Sequence, residues 1–331
     1  MKLSILDQAP ISAGKTAGEA LDASLQLAKL GDELGYTRYW IAEHHDMNGL
    51  ACPNPDVMLG KIGAQTRKIR IGAGAVLLPH YKPYRVAETY NLLATLYPGR
   101  IDLGIGRAPG GSAEVTMALS DNFLEQVRKY PESLDELLQF LNNDFPEGHM
   151  FSKIEPTPIP KASPQPWLLG TSEKSAVLAA EKRMPYTFGH FMSSQDGPAI
   201  VRDYKEGITK HDAKKVPQAI VAVSVICAKT TEEAEALALS NQLWKVLQDK
   251  GEGQNGVPSI EEARSYPFND KELEKMAQMK QKMVIGNPDE VKQQLIDLQK
   301  QYNVDELMIV TITHDYEARR RSYELIAEAC F

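Results

Sequence analysis

A chain of 331 residues that is 43% hydrophobic and 24% charged, with a net charge of −7, can bury a sizeable core. Its acidic balance argues against binding a phosphate backbone, so nucleic acid is not an expected partner. The three cysteines, Cys52, Cys227 and Cys330, are widely spaced and odd in number, which speaks against a disulfide framework or a CxxC zinc site. MKLSILDQAP holds too short an apolar run for a signal peptide, and no window reaches membrane-spanning length, so a cytoplasmic protein with no membrane partner is expected.

In chain order, short apolar runs alternate with amphipathic stretches. KLSIL (2–6), YWIAEH (39–44), IRIGAGAVL (69–77) and IDLGIG (101–106) read as the first four strands. PWLLG (166–170), YTFGHF (186–191), IVAVSVICA (220–228) and ELMIVTI (306–312) read as the next four. Between them, Val86, Tyr90, Leu93 and Tyr97 step along one helical face, as do Ala236, Leu239, Leu243 and Val246, and later Val291, Leu295, Leu298 and Tyr302. Near-continuous apolar strands joined by amphipathic helices imply an α/β fold with a parallel sheet covered on both faces. Eight such units close into a (β/α)8 TIM barrel, so residues 1–331 are read as one domain.

Two stretches rich in proline and polar residues interrupt this rhythm: 142–166, before strand five, and 250–270, between strands seven and eight. Each reads as an insertion, either a lid or binding loop or a surface excursion.

In such a barrel the chemistry gathers at the C-terminal strand ends. His44 and His45 end strand two, and adjacent strand residues point to opposite sides, so one of them at most looks into the mouth. A histidine there suits acid/base work. Glu43 and Asp46 alternate in direction, so a metal site is not expected. Gly72, Ala73, Gly74 and Ala75 lie inside strand three, where small residues mark a bulge, a flat ligand against the backbone or tight packing of barrel layers. Arg107 follows strand four in GIGRAPG, which lacks the third glycine spacing of a dinucleotide fingerprint. GTSEKS (170–175) carries Thr171, Ser172 and Ser175 into a helix start. The turn suits a phosphate or plain capping by Ser172, and a guanidinium on the neighbouring rim favours the phosphate. His190 ends strand six, His80 and Tyr81 line the rim or are solvated, and His149, His211 and His314 read as surface histidines.

Taken together, WIAEHH, IGAGAVLLPHYKPYRVAE, LYPGRIDLGIGRAPG and WLLGTSEKSAVLAAEKRMPYTFGHF resemble the bacterial luciferase-like, flavin-dependent monooxygenase family. The resemblance runs from about 1 to 192 and resumes in VIGNPDEVKQQLIDL and DELMIVTITHD. It implies reduced FMN, supplied by a separate flavin reductase, with the isoalloxazine over strand three. There the family has a non-prolyl cis peptide, which maps to Gly74–Ala75. The family's active-site histidine maps to His44, its phosphate-binding arginine to Arg107, and its phosphate turn to Thr171, Ser172 and Ser175; His190 and Phe191 match a GHF segment lining the flavin pocket. The implied reaction is capture of O2 as a C4a-(hydro)peroxyflavin that oxygenates a small-molecule substrate. Gly106 stands where luciferase has a reactive cysteine, Thr171 where its phosphate turn begins with an acid, and the two insertions differ from luciferase loops. Light emission and an aldehyde substrate are therefore not carried over. Deazaflavin-dependent hydride transfer at the same phosphate site, and flavin carriage without turnover, are the other readings. A homodimer through helices near the start of the barrel is implied as well.

Overall fold

The computed structural model describes residues 1–331. Its strands are β1 (Lys2–Asp7), β2 (Arg38–Ile41), β3 (Arg70–Leu77), β4 (Ile101–Gly106), β5 (Gln165–Gly170), β6 (Tyr186–Gly189), β7 (Ala219–Cys227), β8 (Met283–Gly286) and β9 (Glu306–Val310). All pair in parallel, in the order β6-β5-β4-β3-β2-β1-β9-β7, and β6 pairs back to β7. This is a closed eight-stranded (β/α)8 barrel, as the alternating pattern predicts.

The ninth strand is the departure. β7 gives Ala219–Ala222 to β6 and Ser224–Cys227 to β8, while Ile220–Ser224 face β9. Thus β8 takes over the edge of β7 beyond the end of β6. Two expected strands also end early. β2 stops at Ile41, leaving the histidines in a loop, and β6 stops at Gly189, where a single 3₁₀ turn covers His190–Met192. No helix is long and apolar enough to cross a membrane.

The strands are buried on both faces. A layer of 58 residues joins barrel to helices, while Leu6, Trp40, Trp167, Ile220, Ala222, Met308 and Val310 fill the interior. Buried charges close the N-terminal end, and each has a partner, as burial demands. Arg38 lies 2.8 Å from Asp102 and 2.6 Å from Glu306, Arg70 bonds the other oxygen of Asp102, and the Ser4 hydroxyl donates to Glu306. The Arg38 guanidinium also sits 4.7 Å from the Trp167 ring centroid.

The two insertions part company. Residues 142–166 are neither lid nor free excursion: Tyr84 donates to the Glu155 carbonyl at 3.1 Å and Asn91 to that of Pro156 at 2.7 Å. Phe145 and Phe151 pack on Phe140, so the stretch straps the outer helices Pro83–Leu96 and Tyr130–Asn142. In 250–270, by contrast, Val257 exchanges backbone hydrogen bonds with Ile11 and Ala13, each 2.8 Å, in the loop after β1. Fully buried Val257 joins the interior cluster through this contact, so the segment is fastened to the loop at the C-terminal end of β1.

Candidate active site

The C-terminal strand ends surround a cavity of about 380 Å3. β3 forms one wall. Its pairing with β4 slips between Ala73 and Val76, and the Gly74–Ala75 peptide there is cis. A Cβ on Gly74 would come 2.6 Å from the Leu6 side chain and 3.2 Å from that of Trp40, so a larger residue here would push on the barrel interior. Ala75 and Gly106 continue it, and Leu6, Ala222 and Met308 make an apolar floor.

His44 lines the cavity and His45 does not. The separation arises from a loop rather than from strand alternation. The His44 amide donates to the Cys52 carbonyl (3.0 Å) and the His45 amide to that of Gly110 (2.8 Å). His45 Nε2 lies 2.8 Å from Glu43 Oε1, which also accepts from the Tyr81 hydroxyl at 2.7 Å; Glu43 Oε2 accepts from the Leu77 amide. Tyr81 is therefore a structural partner of Glu43 and not a solvated rim residue. His80 bonds the Pro109 carbonyl (2.8 Å) and stacks on Phe123, tying down the segment that follows β4.

His44 Nδ1 is buried without a hydrogen-bond partner. Burial, assisted by the charges of Lys245 and His45, pushes its pKa down to about 4. The imidazole is thus neutral at physiological pH, with a nitrogen left free of partners in the protein.

Arg107 follows β4 and Lys174 stands at the helix start after the neighbouring β5, and neither makes an ion pair. The turn after β5 holds itself together. Ser175 Oγ donates to the Ser172 carbonyl at 2.6 Å, receives the Ser172 amide, and lies 2.9 Å from the Tyr186 hydroxyl. Ser193 Oγ donates to the Thr171 carbonyl. A Cβ on Gly170 would come 2.1 Å from Ser175 Oγ, which is why the turn begins with glycine. Ser175 is committed to the turn, while Thr171 and Ser172 remain half-buried on the cavity wall.

Of the residues singled out in the sequence, His44, Gly74, Ala75, Arg107, Thr171, Ser172 and Ser175 come together around this one cavity. His190 does not join them. Its Nδ1 lies 2.7 Å from the Tyr302 hydroxyl, drawn away by the turn that ends β6, and Gly189, Phe191 and Met192 face the cavity instead. Lys174, Gln8 and Tyr130 also line it but were not anticipated. Lys174 sits inside the GTSEKS motif and Gln8 directly after β1, so the strand-end rule held the signal for both.

Residues 1–303 match the family described as luciferase-like monooxygenase. The chain is 37% identical over 330 residues to the N-acetyl-S-alkylcysteine monooxygenase of Bacillus subtilis (strain 168), covering 99% of this chain and 98% of that one. The crystal structure of apo-MsnO8 aligns with a TM-score of 0.88 at 34% identity, over 99% of this chain and 97% of that one. At 20% identity, the same fold recurs, with a TM-score of 0.73 over 100% and 99% of the two chains, in the oxygenating constituent of 3,6-diketocamphane monooxygenase from the CAM plasmid of Pseudomonas putida, solved in complex with FMN. The chain therefore belongs to the luciferase-like monooxygenase family and is an enzyme of the flavin-type monooxygenase class.

Proposed function

We propose that this protein is an FMN-dependent monooxygenase that takes reduced FMN from a separate reductase and oxygenates a small thioether, the substrate class its Bacillus relative is named for. One observation carries the reading: a single cavity joins two unpaired cations beside a helix-start turn, a wall of small residues and a buried neutral histidine. These features fit the flavin. Arg107, Lys174 and the Thr171–Ser175 turn would hold its phosphate, and Gly74, Ala75 and Gly106 leave room for a flat ring. When bound, reduced FMN supplies the two electrons for activating O2. The apolar floor excludes bulk water, and His44 takes up or returns a proton at its imidazole nitrogens.

The test combines anaerobic reduced FMN, 18O2 and N-acetyl-S-methylcysteine. One 18O atom in the organic product is expected. Tight deazaflavin binding without FMN binding would replace this reading with hydride transfer, and flavin reoxidation without product across thioether, carbonyl and amine acceptors would replace it with flavin carriage.

We also propose a cytoplasmic homodimer. The absence of any disulfide among Cys52, Cys227 and Cys330 is in keeping with that compartment. Val57, Leu92 and Leu96 are exposed on the neighbouring helices Pro55–Gln65 and Pro83–Leu96, an apolar patch suited to a second copy. Light scattering that gives a monomeric mass at micromolar concentration would refute it.

A further inference from the structure

The long helix Thr231–Asp249 follows β7 and reaches, through Trp244, the loop that carries His44. Its first half, through Ala234, Leu237 and Ala238, packs in a cluster with Ile226 and Ala228. Its second half brings Trp244 into the interior cluster, which includes Leu6, Ala222 and Met308, the residues that also floor the cavity. The indole is pinned in place. Its nitrogen donates to the Gly253 carbonyl at 3.3 Å, and its ring lies against Gly49, where a Cβ would come within 2.6 Å. Gly49 belongs to the same loop as His44.

Asn241 and Lys245 stand four residues apart on this helix, on the face that also carries Trp244. Asn241 is only 8% exposed and its Oδ1 has no hydrogen-bond partner. Lys245 makes no ion pair; its ammonium rests 5.4 Å from the Trp244 ring centroid. A buried amide oxygen without a partner is unusual, since buried amides are hydrogen-bonded, and Lys245 beside it is half-buried with no carboxylate in reach. The Nδ1 of His44 is also unpartnered, the charge of Lys245 acts on that imidazole, and no carboxylate is among the groups that act on Lys245 or His44.

We propose that Lys245 and Asn241 form an anion subsite beside His44 that takes the carboxylate of the organic substrate, on the side of the mouth away from Arg107 and Lys174. The inference rests on the monooxygenase reading for the identity of the ligand, not for the existence of the subsite. Lys245 supplies the charge, and the Asn241 carboxamide bonds the polar atom next to the carboxylate, such as an acylated nitrogen. The field at this point agrees. Burial lowers the proton affinity of Lys245, and its charge in turn lowers that of His44, so an incoming anion relieves both. Holding the acid end at the helix leaves the rest of a short substrate to extend toward the Gly74–Ala75 wall.

The test is calorimetric and needs no turnover. N-acetyl-S-methylcysteine and its methyl ester are titrated into the wild-type protein, Lys245→Met and Lys245→Arg. The acid should bind wild type on the order of 10- to 100-fold more tightly than the ester, as expected for one charge-assisted contact. Lys245→Met should erase that preference while leaving ester affinity unchanged, and Lys245→Arg should restore part of it. Equal affinity for acid and ester in wild type, or parallel losses for both in Lys245→Met, would overturn the subsite. The two proposals fail separately: oxygenation of the ester with no preference for the acid overturns the subsite alone, and tight acid binding without oxygenation overturns the proposed function alone.

Discussion

Replacing Arg107 with methionine tests whether the rim at the ends of β4 and β5 is a phosphate site. The guanidinium is exposed and unpaired beside the Thr171–Ser175 turn, so its removal breaks no contact within the protein and the fold should be unaffected. A hydrogen bond to a charged group contributes about 1.5–3 kcal/mol. Exposure screens the interaction, and Lys174 remains on the same rim, so the lower limit applies. FMN affinity should fall about tenfold, or about 1.4 kcal/mol. Quenching of flavin fluorescence gives the dissociation constants, and riboflavin, which has the ring but no phosphate, is the control. Its affinity should match between wild type and variant. FMN binding to wild type should also weaken with salt more steeply than binding to Arg107→Met. Equal losses for riboflavin and FMN would mean that Arg107 supports the ring or the loop, and an unchanged FMN constant would remove it from the site.

Four further outcomes follow from the geometry. His44→Ala should lower turnover on the order of 100- to 10,000-fold while FMN affinity, measured by the same quenching, stays unchanged. Because the pKa of His44 is about 4 in the fold and about 6.5 unfolded, the unfolded chain binds more protons between these values. Stability from this group is therefore intact above pH 6.5 and lost as pH falls toward 4, by at most about 3 kcal/mol; urea titrations of His44→Gln should show a flatter decline across that window. Arg319 is 3% exposed and pairs with Asp7, which accepts also from Tyr39 and the Ala9 amide, so Arg319→Met should cost about 3–5 kcal/mol by leaving a buried carboxylate unpaired. Lys15→Ala, breaking an exposed pair with Glu19, should cost about 0–1 kcal/mol in the same urea assay.

The barrel was legible because strands buried on both faces must be apolar along their whole length, and eight such runs are visible in the chain. What escaped was β8. Its Met283–Gly286 run is four residues long and buried on alternate positions only, too short to stand apart from the helix that follows. The site was legible where a side chain's role depends on its place at a strand end, as for His44, Arg107 and Thr171. It was not legible where a loop bends the chain. His190 falls at a strand end in the sequence, yet the 3₁₀ turn after Gly189 carries it to Tyr302. The insertions failed for a related reason. Composition marks 142–166 and 250–270 as irregular but cannot say where they dock, which depends on distant partners such as Asn91 and Ile11.

How His44 is held can be put to a test of its own. Glu43 is the hub: one oxygen accepts from Tyr81 and faces His45, the other accepts from the Leu77 amide. These contacts join the loop that carries His44 to the end of β3, and the His45 amide ties the same loop to Gly110 beyond β4. In Glu43→Gln one oxygen becomes an NH2 group. The Leu77 amide can only donate, so the carboxamide must turn its oxygen there and its NH2 toward Tyr81 and His45. Tyr81 then has to redirect its hydroxyl proton and His45 must present an unprotonated nitrogen. That rearrangement costs about 1–3 kcal/mol and lets the loop drift from its seat, and small misplacements of a catalytic group are expensive. Turnover should fall about tenfold or more with FMN affinity unchanged, since the phosphate rim lies on β4 and β5. Glu43→Leu, which leaves the Leu77 amide with no acceptor at all, should lose more of both turnover and stability. Wild-type turnover in both variants would show that the loop is held by its backbone bonds to Cys52 and Gly110 alone, and that Glu43 plays no part in positioning His44.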